Sequence, residues 1–183
     1  MTERPAAPAI DQTANLLGAL SLMVADRMVD AMADAGGKPE SAAAALCALL
    51  HFLDRPTVDL LRQVLGLTSS GTVRLVDRMT ESGYVQRGPG NDGRSTSVTL
   101  TEAGRAAAER VAVARAEVLE SALAGLTGAD RAALRRILGT MLVGLMRGPG
   151  AVRWMCRLCD TGAGRGAEGG CPVGNAAQER YLS

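Results

Sequence analysis

Aromatic residues make up only 2% of the 183 residues, with one Trp, two Tyr and one Phe. A core so poor in rings must be filled by Leu, Val, Ala and Met, which suits helix packed on helix better than a sandwich or a barrel. Lysine is nearly missing as well: of 20 basic residues Lys38 is the one lysine. That arginine excess carries no functional weight alone, because a net charge of +1 excludes a strongly basic field over the whole molecule, and a bias toward Arg, Ala and Gly codons gives the same count. Phosphate recognition needs a patch. No run of eighteen apolar residues occurs, and the opening MTERPAAPAI has neither a basic start nor an apolar block. Neither a membrane span nor a secretory signal is therefore expected, and the cytoplasm is the expected location. With a single histidine and no Ser/His/Asp or paired-carboxylate constellation, no enzyme is expected. What remains, 47% apolar and 21% charged residues, is ordinary globular composition for one domain with appendages.

Leu16, Leu17, Leu20, Met23, Val24, Met28 and Met32 recur near helical spacing up to Gly36-Gly37 and predict a first helix. SAAAALCALLHFLD, running to the Arg55-Pro56 break, is apolar on nearly all sides and predicts a central helix. TVDLLRQVLG gives a short helix with Thr57 as N-cap and Gly66 free to turn left-handed, and TSSGTVRLVDRMTESG gives another. Two short helices so tightly joined predict a helix-turn-helix. YVQR and STSVTLT then read as strands around GPGNDGR, a hairpin wing. Two further helices follow, EAGRAAAERVAVARAEVLESALAGL and TGADRAALRRILGTMLVGLMRG, the second capped by Thr127 or Asp130. Gly148-Pro149-Gly150 is expected to end helical order and begin a loose tail.

This order, and above all LGLTSSGTVRLVDRMTESGYVQRGPGNDGRSTSVTLTEAGR with its Asp92-Gly93-Arg94 wing and Leu100–Gly104 helix start, resembles the MarR family of winged-helix transcription regulators over roughly residues 11 to 147. The fold class implied is mostly α with a small β-wing: a winged helix-turn-helix with a helical dimerisation domain. The expected division is an N-terminal dimerisation helix in 1–35, a DNA-binding domain in 38–101, C-terminal dimerisation helices in 102–147 and a Cys-containing tail in 148–183. The resemblance further implies a homodimer that binds a palindromic operator on double-stranded DNA, and an effector, small molecule, oxidant or metal, that loosens it. A recognition helix fits the major groove with its early residues at base edges. The candidates there are Arg74, able to grip guanine with two hydrogen bonds, and Ser69, Ser70 and Thr72 for phosphate or single base acceptors, with Arg78 nearer the backbone. In the wing, Arg94 stands at the family's minor-groove arginine and Asp92 at its orienting partner, while Arg87 could add a phosphate contact. A plain Asn-Asp-Gly turn would also account for this loop.

Three of the four cysteines lie outside that pattern, in CRLCDTGAGRGAEGGC. Cys156 and Cys159 form C-x2-C, a spacing that brings two thiolates to one tetrahedral ion, and Cys171 follows just before Pro172. Zinc would take a fourth ligand from His51, Cys47, Asp160 or water, and an iron-sulfur cluster would need a non-Cys ligand or a partner's cysteine. His51 lies four residues after Cys47 on an apolar helix, where a core role is the expected one for both. The tail therefore admits a metal or cluster site, a thiol redox switch or a passive extension. The expected protein is a repressor governed by these cysteines. The alternatives are a small-ligand-responsive regulator with a passive tail, and a dimeric zinc-stapled interaction protein that does not bind DNA.

Overall fold

The computed structural model describes residues 10–36, 40–90, 95–148, 150–160, 162 and 170–181. Helix α1 spans Gln12–Asp34 and starts where the Asp11 carboxylate accepts the Ala14 amide at 2.7 Å. Helix α2, Glu40–His51, is the central one, with Ala42 to Ala48 all buried. It stops short of the expected Arg55-Pro56 break, because the amides of Phe52 and Leu53 both converge on the Ala48 carbonyl and wind the chain off the helix axis. Helix α3, Val58–Leu65, is capped by Thr57 and ends on Gly66 at φ 65°, as its sequence predicts. Helix α4 spans Ser69–Glu81. Strands β1, Val85–Pro89, and β2, Thr96–Leu100, pair antiparallel with Val85 opposite Leu100 and Pro89 opposite Thr96.

Helix α5, Glu102–Leu123, takes its N-cap from Thr101, whose oxygen accepts the Gly104 amide at 3.0 Å while its hydroxyl donates to the Gly83 carbonyl. That link sets the wing's exit strand against the end of α4. Helix α6, Gly128–Leu145, opens on a capping box in which Thr127 and Asp130 each bind the other's backbone, so both expected capping residues act together. Leu46, Leu61, Leu75, Val76, Val85, Val98 and Val111 fill the core, drawn from α2 to α5 and the wing. The all-aliphatic interior expected from the missing aromatics is the one observed.

Among its described residues the tail departs from the loose extension expected after Gly148. Helix α7, Ala151–Met155, packs on α3, and helix α8, Pro172–Tyr181, packs on α6. A Cβ on Gly139 would stand 3.1 Å from the Pro172 ring, so α8 approaches α6 where α6 has no side chain. The Gly148 amide donates to the Tyr181 hydroxyl at 3.0 Å, and Val173 and Met146 are buried in the same region. Glycine density hides this order from periodicity, because the contacts rest on one bare backbone position and a few anchoring side chains. By contrast, Leu16, Leu17, Leu20 and Met23 of α1 and Ile137, Leu138, Leu142 and Leu145 of α6 stay exposed within the chain. No described helix is long and apolar enough to cross a membrane.

Candidate nucleic-acid interface and cysteine cluster

Helix α4 begins on the serines, and Thr68, one residue before them, is its N-cap, its oxygen accepting the Gly71 amide at 3.1 Å. Ser69 and Ser70 are thereby released from capping and stand exposed on the first turn. Leu75, Val76 and Met79 face the core, so the opposite face presents Ser70, Val73, Arg74 and Arg78 to solvent. Thr72 falls on the inward face. It is fully buried and its hydroxyl donates to the Thr68 carbonyl at 3.0 Å, which removes it from the expected DNA contacts. Helical phase is the reason, since Thr72 lies three and four residues before Leu75 and Val76. Val73, which the sequence reading passed over, takes its place, 45% exposed beside Arg74. An apolar side chain there matches a thymine methyl in the major groove. The periodicity of Leu75, Val76 and Met79 was the signal that could have found it.

Losing the Thr68 cap should weaken the helix that carries these residues. Thr68→Ala is expected to lower unfolding free energy by about 1 kcal/mol in a urea titration, from one lost cap.

The wing is fastened on two sides. Arg87 forms an ion pair with Asp77 of α4 at 2.8 Å, so the expected phosphate-binding arginine also ties strand to recognition helix. Both side chains remain partly exposed, and the pair positions more than it stabilises. On the other side the Arg55 guanidinium donates to the Pro89 carbonyl at 3.1 Å, the Ser97 hydroxyl donates to the same oxygen at 3.0 Å, and the Val98 amide donates to the Pro56 carbonyl at 2.9 Å. Arg55 has φ 45°, a conformation unusual for a residue with a side chain. It is a second exposed cation near the wing that sequence reasoning missed, and the Arg-Pro dipeptide was its only signal. Thr57, Asp59, Val73, Arg87 and Thr96 line an open groove between the two helices and the wing. Asp92 and Arg94 lie outside the described residues.

The cysteines fall into two settings. Cys47 is buried in α2, and burial pushes its thiol up to about 11 against the lowering effect of the Arg115 guanidinium. Cys156 and Cys159 share a tight turn, the Cys159 amide donating to the Cys156 carbonyl at 2.9 Å, and their thiols hydrogen-bond to each other. That hydrogen bond holds the Cys156 thiol well above its ordinary range, with burial and the negative charge of Cys159 and Cys171 adding to the shift. It draws Cys159 down, Arg115 assisting. Cys171 stands at the start of α8, close enough to act electrostatically on Cys156. His51 Nδ1 lies 3.7 Å from Asp160 Oδ1, so two of the proposed fourth ligands meet each other. Among the described residues no three His, Cys, Asp or Glu side chains converge to hold a metal ion.

An exposed arginine-bearing face on the second helix of a helix-turn-helix, flanked by a two-stranded wing, is the arrangement of a winged-helix DNA reader. Residues 39–95 match the MarR family model. That stretch runs from α2 into the wing and is similar to the family's winged helix. Solved structures extend the likeness. A MarR family protein from Bacillus stearothermophilus is 23% identical, with a TM-score of 0.65 over 76% of this chain and 100% of that one. A probable transcriptional regulator from Pseudomonas aeruginosa is 26% identical, with a TM-score of 0.52 over 68% and 96%. CouR from Rhodococcus jostii RHA1, solved with p-coumaroyl-CoA, is 21% identical, with a TM-score of 0.55 over 72% and 91%. No curated protein sequence matches. The fold is thus the winged helix of MarR-type structures.

Proposed function

We propose that the protein is a repressor that binds a palindromic operator as a homodimer, laying α4 in the major groove and the wing beside it. The observation that carries this reading is the exposed face of α4, where Ser70, Val73, Arg74 and Arg78 stand clear of a fully packed inner face. Ser69 and Ser70, freed from capping, suit phosphate or single base acceptors, and Arg74 suits guanine. Binding to a duplex chosen from a random pool, measured against salt, tests it: a regulator loses affinity steeply with salt, whereas an interaction protein shows no duplex binding.

The unpartnered faces of α1 and α6 support a second copy as the dimer partner. Leu16 is 64% exposed and Leu145 65%, each within a run of exposed aliphatics along its helix. Leu20→Glu together with Leu142→Glu is expected to weaken dimerisation at least tenfold in sedimentation equilibrium, because each would desolvate a charge without a partner. A dimer of unchanged strength would contradict the assignment of these faces.

Control of the repressor is assigned to the tail cysteines. Zinc or an iron-sulfur cluster at Cys156, Cys159 and Cys171 would require at least three donors in one shell. The tight turn that joins Cys156 to Cys159 favours chemistry of that pair instead.

A further inference from the structure

The chain after α6 returns to the turn of the helix-turn-helix. Gly66 ends α3 at φ 65°, and Thr68, two residues on, caps α4, so whatever fixes this turn also fixes where the first turn of α4 points. On its inner side the turn is held by Leu61, Leu65 and Leu75, all buried. From outside the core, the indole of Trp154 stands against it: a Cβ on Gly66 would lie 3.0 Å from Nε1 and 3.1 Å from Cδ1. That is tighter than an ordinary side-chain contact, so the ring is seated where the turn has no side chain.

The indole is itself held. The Arg157 guanidinium lies over its ring, 4.5 Å from the centroid, and donates to the Trp154 carbonyl at 2.8 Å. Beyond it along the chain, Leu158 packs against the core, and Asp160 Oδ1 lies 3.7 Å from Nδ1 of His51, the last residue of α2. Before it, Met146 is buried at the end of α6, shortly before α7 begins at Ala151. Helix α6 packs on α8, and α7 packs on both α8 and α3, so the tail links α6 to the helix-turn-helix.

We propose that Trp154 is a positioning residue for the recognition helix: it braces the turn before α4 against the α6–α8 pair, and so sets the angle at which α4 meets the duplex. The DNA consequence rests on the repressor reading above, whereas the brace is a property of the free chain. A dimer must present its two recognition helices about 34–36 Å apart, one turn of DNA. The outer face of α6 is the one assigned to the dimer partner, so a link from α6 to the turn before α4 relates each recognition helix to the two-fold axis. Where the brace is lost, the lobe samples other angles, and apparent affinity falls in proportion to the time spent in the competent one. An indole neutralises no phosphate, so this loss leaves the release of counterions as it was.

Full-length protein is compared under conditions in which urea titration shows each variant folded. Trp154→Ala should weaken binding to the selected duplex about tenfold, with its salt dependence unchanged. It should also shrink the penalty for inserting one base pair between the half-sites, because a loosened lobe tolerates a wrong spacing better. Trp154→Phe, which keeps a ring against Gly66, should recover most of both effects. In the free protein, amide exchange over residues 66–72 should rise in Trp154→Ala while that of α2 stays as in the wild type. Gly66→Ala should shift the emission of Trp154, the one tryptophan in the chain. Added to Trp154→Ala, Gly66→Ala should weaken binding less than it does alone, since the left-handed strain remains but the collision is gone. Unchanged exchange at the turn, or unchanged emission in Gly66→Ala, would overturn the brace. Full affinity in Trp154→Ala would overturn its part in placing α4. A flatter salt dependence in that variant would do the same, because the segment would then be touching DNA itself. A wild-type protein that retains no duplex while the exchange and emission changes appear would leave the brace standing and overturn the repressor.

Discussion

Arg74→Ala is expected to weaken binding to the selected operator by roughly 2–6 kcal/mol per dimer, at least about 30-fold, because a bidentate arginine–guanine pair is worth about 1–3 kcal/mol and a dimer carries two. The residue is exposed on the outer face of α4, next to Val73 and one turn before Arg78, and forms no ion pair among the described residues. The loss should be specific in kind as well as size. If Arg74 reads a base, its removal relaxes sequence preference at one position in each half-site and leaves the salt dependence nearly unchanged. Arg78→Ala, by contrast, should weaken all sequences alike and flatten the salt dependence. Arg74→Lys should recover little, since an ammonium keeps the charge but not the planar fork. Equilibrium titrations of the selected duplex and of single-base variants at several salt concentrations separate these outcomes. Thr72→Val is the internal contrast: a buried side chain changes stability, and operator contacts should survive it.

Gly104→Ala should be the most damaging single methyl group in the chain. Gly104 is buried at the first turn of α5, and a Cβ there would collide with the Tyr84 carbonyl and the backbone atoms beside it. The same carbonyl accepts the Thr101 amide at 3.0 Å, and Thr101 caps α5, so neither strand nor helix can withdraw without breaking the junction. The expected cost is about 3 kcal/mol or more, the range of overpacking against backbone that cannot relax. Urea unfolding should show a large drop in midpoint with little change in slope. Gly125→Ala, where an added Cβ meets nothing within 4 Å, should change stability by less than about 0.5 kcal/mol. Equal effects from the two would contradict the close approach of α5 to the end of α4.

These residues also mark how far the sequence could be read. The aliphatic stripe of α1, the all-round apolar α2 and the glycine ending α3 announce their elements through spacing and turn chemistry that depend on neighbours a few residues away. Gly104 is legible as part of a helix-start pattern, but its necessity is a contact with Tyr84, twenty residues back along the chain. Helical phase on α4 was missed by one residue: Thr72 and Val73 exchange faces because Leu75 and Val76 fix which side is inner. Thr68, for which no role was expected, is the N-cap. The tail was legible as a cysteine spacing and not as a fold. Its order comes from an indole over Gly66 and a proline over Gly139, where the missing side chain is itself the docking site. No local pattern announces such contacts, since the partner of each is a helix distant in sequence.

The central claim is that two copies of α4 read one duplex. Sequencing the duplexes that the purified protein retains from a random pool at low salt tests it most directly. The account predicts an inverted repeat whose half-sites lie about one helical turn apart, some 10 base pairs centre to centre. A pool that emerges without any enriched sequence, or enriched in a single site without inverted symmetry, would contradict it.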